Sequence, residues 1–245
     1  MAGADDPAFW QPTAEAIRAM QRADLILLNG AAYAKWVDRV TLPSAAVVNT
    51  SEAFADRYLT VVGSVTHTHG PEGEHSHEGT AFTTWLDPTL AIMHAEAVAA
   101  AFSERWPESA STFGANMMAL REDLEQLGAD LRVATAPFAG EPLVASHPVY
   151  QYLAAQYGLD VESMTWEPDE MPSERQWRAL RDILARHPAR LMLWEAEPMA
   201  EIADRMRTLG VEAVVFAPLG NRPTQGGYLD GMVANVERLQ VSANP

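Results

Sequence analysis

Four of the chain's seven histidines fall within one stretch of eleven residues, HTHGPEGEHSH, as two H-x-H pairs: His67 with His69, and His75 with His77. Glu72, Glu74 and Glu78 lie among and beside them. Imidazole is the commonest side-chain metal ligand, and its neutral ring suits zinc, copper or nickel. In an extended segment residues two apart point the same way, so each pair can chelate one ion. Gly70 and Gly73 let the two pairs fold together around it. The chemistry on offer is transition-metal capture, with zinc the first choice. A solvated polar loop has the same composition. Nothing apolar packs the stretch, so a mobile capturing tract fits it better than a preformed structural zinc site.

The rest of the chain reads as alternating strands and helices. Helical spacing runs over residues 14–22, and the apolar runs 25–28 and 45–48 read as strands. Residues 63–80 read as a loop. Helices follow at 88–102 and 109–128, the second and longer carrying Phe113, Met117, Leu120, Leu124 and Leu127 at core spacing. Strands at 143–146, 161–166, 191–194 and 214–216 then alternate with helices at 149–157, 174–186, 199–209 and 228–239. This pattern predicts an α/β fold of parallel sheets with covering helices.

In such sheets ligands bind beyond the carboxyl ends of the strands. That rule selects His147 after LVAS, Glu195 after LMLW, Ala217-Pro218 after VVF, and the segment Thr83, Thr84, Trp85. His147 precedes Pro148 at a helix start, so a plain N-terminal structural role competes with a ligand role. Glu195 and Glu197 read as an acidic pair complementing the next helix dipole. Trp10, Trp85 and Trp194 lie near strand ends, either as an aromatic wall for an organic ligand or as core. His94 and His187 stand without companions and read as structural.

Composition narrows the classes further. Thirty-three acidic residues against 17 basic give a formal charge of −16, a field that repels a phosphate backbone and makes nucleic acid an unfavourable partner. With no cysteine, thiolate zinc sites, iron–sulfur clusters and disulfides are excluded. No apolar run reaches the roughly 20 residues of a membrane span, and MAGADDPAFW has neither the basic nor the apolar region of a signal peptide. No G-x-S-x-G elbow, P-loop or H-E-x-x-H occurs, and an enzyme is not expected.

Several segments together resemble the zinc- and manganese-binding receptors of bacterial ABC importers: PTAEAIRAMQRADLILLNGAAYAKWVDRV, the His-rich loop preceding TTWLDPTLAIMHAEAVAAAF, LVASHPVYQYLAAQYGL, and VVFAPLGNRPTQGGYLDGMVANVERL. Their order and spacing agree over nearly the whole chain. The resemblance implies two α/β lobes bridged by one long helix: residues 1–108 as the N-terminal lobe, 109–128 as the linking helix and 129–245 as the C-terminal lobe. The matching region begins almost at residue 1, without the usual first strand and helix: either the sheet of the N-terminal lobe is smaller than in relatives, or an N-terminal piece is missing from this sequence. It further implies a monomer working outside the cytoplasm, in the periplasm or its equivalent, with a transition-metal ion as cargo and an ABC permease in the membrane as partner.

The family's four metal-ligand positions match Ala8, Thr83, His147 and Ala217, so His147 alone is retained. One histidine cannot hold zinc tightly, since closed sites use four ligands and open ones three. Three readings follow. Histidines 67 to 77 and Glu195 join His147 in a relocated site; or the cargo is now a non-metal ligand or metal complex; or the chain is an auxiliary or scaffold protein binding metal through the loop alone. The first is the expected function, with zinc at His67, His69, His75, His77 and His147.

Overall fold

The computed structural model describes residues 8, 10–61, 66–68, 74–76, 79–221, 223 and 225–243, of which 66–68 and 74–76 are described as backbone. The N-terminal half opens with α1 (Ala14–Met20), capped by the Thr13 hydroxyl. The parallel pair β1 (Ile26–Leu28) and β2 (Val47–Asn49) follows. β3 (Thr60–Val61) pairs antiparallel with β6 (Gly79–Thr80), and between them β4 (Thr66–Thr68) and β5 (Glu74–Ser76) pair antiparallel. The stretch 63–80, expected as a loop, therefore contains three short strands. Their polar composition hides them from an apolar-period reading, because a backbone ladder needs no apolar side chain to form.

α2 (Pro88–Arg105) starts at Asp87, whose carboxylate accepts from the Thr89 N–H at 2.8 Å, with Pro88 in the first turn. It packs along α3 (Ala110–Thr135). Sequence pattern ended α3 at Gly128, but the helix continues seven residues further. Gly128 keeps a helical conformation, Tyr157 donates to its carbonyl at 3.3 Å, and Leu131 and Ala134 beyond it are buried. Burial of the final turns outweighs the roughly 1 kcal/mol that a mid-helix glycine costs.

The C-terminal half is built on four parallel strands, β7 (Pro142–Ala145), β8 (Asp160–Ser163), β9 (Leu191–Trp194) and β10 (Glu212–Val215), in the order β10-β9-β7-β8. Helices α4 (Gln151–Tyr157), α5 (Glu174–Arg186), α6 (Ala200–Thr208) and α7 (Tyr228–Ser242) cover it. Because strand side chains alternate, one sheet feeds two cores. Leu143, Ala145, Leu191, Leu193 and Val214 join Leu124, Leu127 and Leu131 of α3 with Met232, Val236 and Leu239 of α7. Val144, Met192 and Trp194 face the other way, onto Trp177, Leu180 and Ile183 of α5 and Ile202 and Met206 of α6. Burial on both faces explains why these strands read as unbroken apolar runs. Leu86, Ala91 and Ile92 also enter the first of these cores, so the segment after β6 is packed into the C-terminal half.

Candidate functional site

The carboxyl ends of β7, β8 and β9 carry His147, Trp166-Glu167 and Glu195, the region that the strand-end rule selects. His147 is buried, with Nδ1 at 3.4 Å from the Trp166 carbonyl and 3.6 Å from Glu167 Oε1. A carbonyl only accepts, so in that bond Nδ1 carries the hydrogen and Nε2 keeps its lone pair, the form a metal-ligating imidazole takes. Glu167 was not among the sequence candidates, although it directly follows the strand read over 161–166; the strand-end rule applied there is the signal that would have found it. Glu195 is half-buried beside Tyr150. Burial, and then the Glu195 charge, push the Tyr150 phenol well above its ordinary range, and its hydroxyl donates to the Phe216 carbonyl at 2.8 Å.

The positions matching the other family ligands are occupied by structure. Ala8 is buried. The Thr83 hydroxyl, also buried, donates to the Val149 carbonyl at 2.5 Å. Ala217 is clamped at both backbone groups by fully buried Asn235, whose Oδ1 accepts from Ala217 N–H at 2.9 Å and whose Nδ2 donates to its carbonyl at 2.8 Å. Two residues on, Leu219 adopts φ +56°, and its side chain fills a notch where a Cβ on Gly231 would lie 2.7 Å from it. Asn235→Ala is expected to cost about 2 kcal/mol, the desolvation of two orphaned backbone groups offset in part by water entry. The shift would be read as a lower denaturant midpoint at unchanged slope; an unchanged midpoint would remove the clamp from the account.

Across from this loop, Gly30, Ala31 and Ala32 all have left-handed φ (+72°, +49°, +57°), closing a turn in which Tyr33 N–H donates to the Gly30 carbonyl at 2.9 Å. Glycine is required at 30, because a Cβ there would lie 1.9 Å from Ser51 Oγ. Each alanine pays roughly 1–2 kcal/mol for this conformation. The turn directs Tyr33 toward the C-terminal half, where its hydroxyl donates to the Gly220 carbonyl at 3.1 Å. Its ring lies 5.1 Å from Phe82 and 5.4 Å from Trp85, and Trp85 Nε1 donates to the Pro218 carbonyl at 2.6 Å.

Among the other candidates, the register of β4 with β5 sets His67 directly opposite His75. That adds a cross-strand pair to the two H-x-H pairs expected from spacing. His69 and His77 lie outside the described residues. Among the described residues no group of three or more His, Asp or Glu side chains is gathered as a metal site. Trp194 is core, 6.1 Å from Trp166; Trp10 packs edge-on against Trp36 at 5.7 Å; of the three tryptophans only Trp85 stands between the halves. His94 and His187 are held by structural bonds, His94 between Thr50 and Thr84 and His187 to the Leu143 carbonyl at 2.8 Å. Glu197 is exposed. No helix among the described residues is long and apolar enough to cross a membrane.

A family model described as zinc-uptake complex component A, periplasmic, matches residues 1–242. The zinc-binding protein AdcA of Streptococcus pyogenes is 26% identical over all of this chain and 51% of its own length. The high-affinity zinc uptake system protein ZnuA of Bacillus subtilis is 25% identical over 97% of this chain and 77% of its own. The chain thus spans about half the length of the streptococcal relative. The crystal structure of the metal-dependent lipoprotein YcdH from Bacillus subtilis superposes with a TM-score of 0.81 at 21% identity, covering 99% of this chain and 89% of that one, which establishes the fold as theirs.

Proposed function

The chain belongs to the periplasmic zinc-uptake component A family, and we propose that it is an extracytoplasmic solute-binding protein that captures zinc and delivers it to an ABC permease in the membrane. The observation that carries this reading is His147, kept at the carboxyl end of the parallel sheet with Nδ1 at 3.4 Å from the Trp166 carbonyl and 3.6 Å from Glu167 Oε1. Zinc reaches it through the histidine stretch, where the strand register sets His67 opposite His75. Binding is stoichiometric, without turnover, and the receptor works as a monomer.

Calorimetric titration of the metal-stripped chain with zinc tests this. The expected result is one-to-one binding of roughly micromolar affinity or tighter, on the order of −8 kcal/mol. His147→Ala and deletion of residues 67–77 are each expected to weaken it at least about tenfold, some 1.4 kcal/mol. Weak, multiple binding that disappears only with the hairpin would mean that His147 takes no part in carrying zinc.

A further inference from the structure

The carboxyl end of the C-terminal sheet sets a carboxylate beside His147. Ala145 of β7 lies opposite Leu193 of β9, and just beyond them the Ser146 N–H donates to the Leu193 carbonyl at 2.8 Å. His147 and Glu195 each stand two residues past that opposed pair, so they leave neighbouring strands at the same level. Side chains two apart in an extended segment point the same way, and neighbouring strands run about 4.8 Å apart. Ala145 and Leu193 face the core built with α3 and α7, as does Tyr150, on whose phenol the Glu195 charge acts. Glu195 is half-buried there, whereas Glu197 is exposed. α6 does not begin until Ala200, so Glu195 lies outside the first turn, where a helix dipole acts on a carboxylate.

The other positions point to the same residue. Ala8 and Ala217 carry no donor atom on their side chains, and the Thr83 hydroxyl is committed to the Val149 carbonyl at 2.5 Å. The His147 ring turns Nδ1 toward the segment after β8, at 3.4 Å from the Trp166 carbonyl and 3.6 Å from Glu167 Oε1. In the sheet order β10-β9-β7-β8, β8 and β9 flank β7 on opposite sides. The opposite ring nitrogen, Nε2, is therefore turned to the side where Glu195 stands. Neutral imidazole and carboxylate are both zinc donors, at about 2.0–2.2 Å from the ion, and the spacing of neighbouring strands leaves room for one ion between them. Glu167 faces Nδ1, which leaves two side chains for the ion, in keeping with the absence of a three-residue metal cluster among the described residues.

We infer that Glu195 is a protein ligand of zinc, binding it together with His147, so that both side-chain ligands come from adjacent strands of the C-terminal half. The inference rests on the zinc-receptor reading. Two protein ligands leave two tetrahedral positions to water, fewer protein bonds than either a closed or an open zinc site makes. The site is accordingly one from which the ion exchanges readily, and Glu195 brings it the negative charge that a neutral histidine lacks.

Calorimetric titration of the full chain with zinc chloride tests this in wild type and four variants. Glu195→Gln is expected to weaken binding at least about tenfold. Glu197→Gln removes the same charge from an exposed position and is expected to change affinity less than about twofold. Glu195→His, neutral but able to ligate, is expected to stay within about threefold of wild type. In a chain already carrying His147→Ala, the loss from Glu195→Gln is expected to fall below about threefold, because two ligands of one ion are coupled. Wild-type affinity in Glu195→Gln overturns the inference alone. An equal loss with and without His147, or a loss in Glu195→His matching that in Glu195→Gln, overturns it as well, since Glu195 would then act as a distant charge. A wild-type chain that takes up no zinc overturns it together with the receptor reading. Thermal denaturation, cooperative in every variant as in wild type, keeps loss of a ligand apart from loss of fold.

Discussion

Between pH 6.5 and pH 4 the folded chain is expected to lose about 3 kcal/mol of stability through His94 alone. Burial holds its pKa down at about 4, against 6.5 for a free imidazole. The ring sits edge-on to Phe54 at 5.0 Å, with Nδ1 at 2.7 Å from Thr50 Oγ1 and Nε2 at 2.8 Å from Thr84 Oγ1. Thr50 already donates its hydrogen to the Leu28 carbonyl at 2.9 Å, so it accepts from Nδ1–H, and Thr84 donates to Nε2. Both nitrogens are thus satisfied in the neutral form, which ties the end of β1 to the start of α2. Above pH 6.5 the imidazole is neutral folded and unfolded, and pH has no hold on stability through it. As pH falls below 6.5 the unfolded chain takes up the proton first, and stability drops by about 1.4 kcal/mol per pH unit until the folded histidine protonates near 4. Urea unfolding at half-unit pH steps in wild type and His94→Gln isolates the contribution, because the carboxylates titrate in both. Parallel curves through this window would show that His94 does not carry the effect.

Replacing Thr83 by His and Ala217 by Asp in a chain lacking residues 67–77 is expected to raise zinc affinity roughly a hundredfold or more, about 2.7 kcal/mol. Together with His147 these supply three protein ligands, the number found in open zinc sites, with water completing the shell. The backbone at 217 is held by Asn235, so the new carboxylate starts from a fixed point and loses little freedom on binding. The cost is the Thr83–Val149 bond, a contribution on the order of 1 kcal/mol. Calorimetry on the single and double variants reads the result. If the double variant gains no more than the better single variant, the three positions do not converge on one ion.

The C-terminal half was legible because burial on both faces leaves a plain mark: VVF, LMLW and LVAS are unbroken apolar runs, and the strand-end rule then points to His147. The hairpin histidines were legible as chemistry but not as structure, because β4 and β5 are held by backbone pairing between polar residues. What spacing offered as two pairs along the chain, the register turns into an opposed pair across it. The end of α3 was misplaced because Gly128 resembles a helix stop, and only the tertiary burial of Leu131 and Ala134 carries the helix onward. The bonds that join the two halves were not legible in the sequence. Their acceptors are the carbonyls of Val149, Pro218 and Gly220, and a backbone carbonyl is the same atom in every residue, so no residue type announces them. The fully buried Trp194 illustrates the converse: an aromatic near a strand end reads as a wall from sequence and is core once α5 and α6 fold over it.

The uninterrupted α3 sets the mechanics of the molecule. At 26 residues it is a beam of about 39 Å, gripped by α2 from Phe113, beside Phe102, to Gly128, beside Pro88, and embedded over its last turns in the C-terminal core. A beam has no pivot. Any displacement of one half relative to the other has to be taken up as curvature spread over many peptide units, with a restoring force that grows with amplitude.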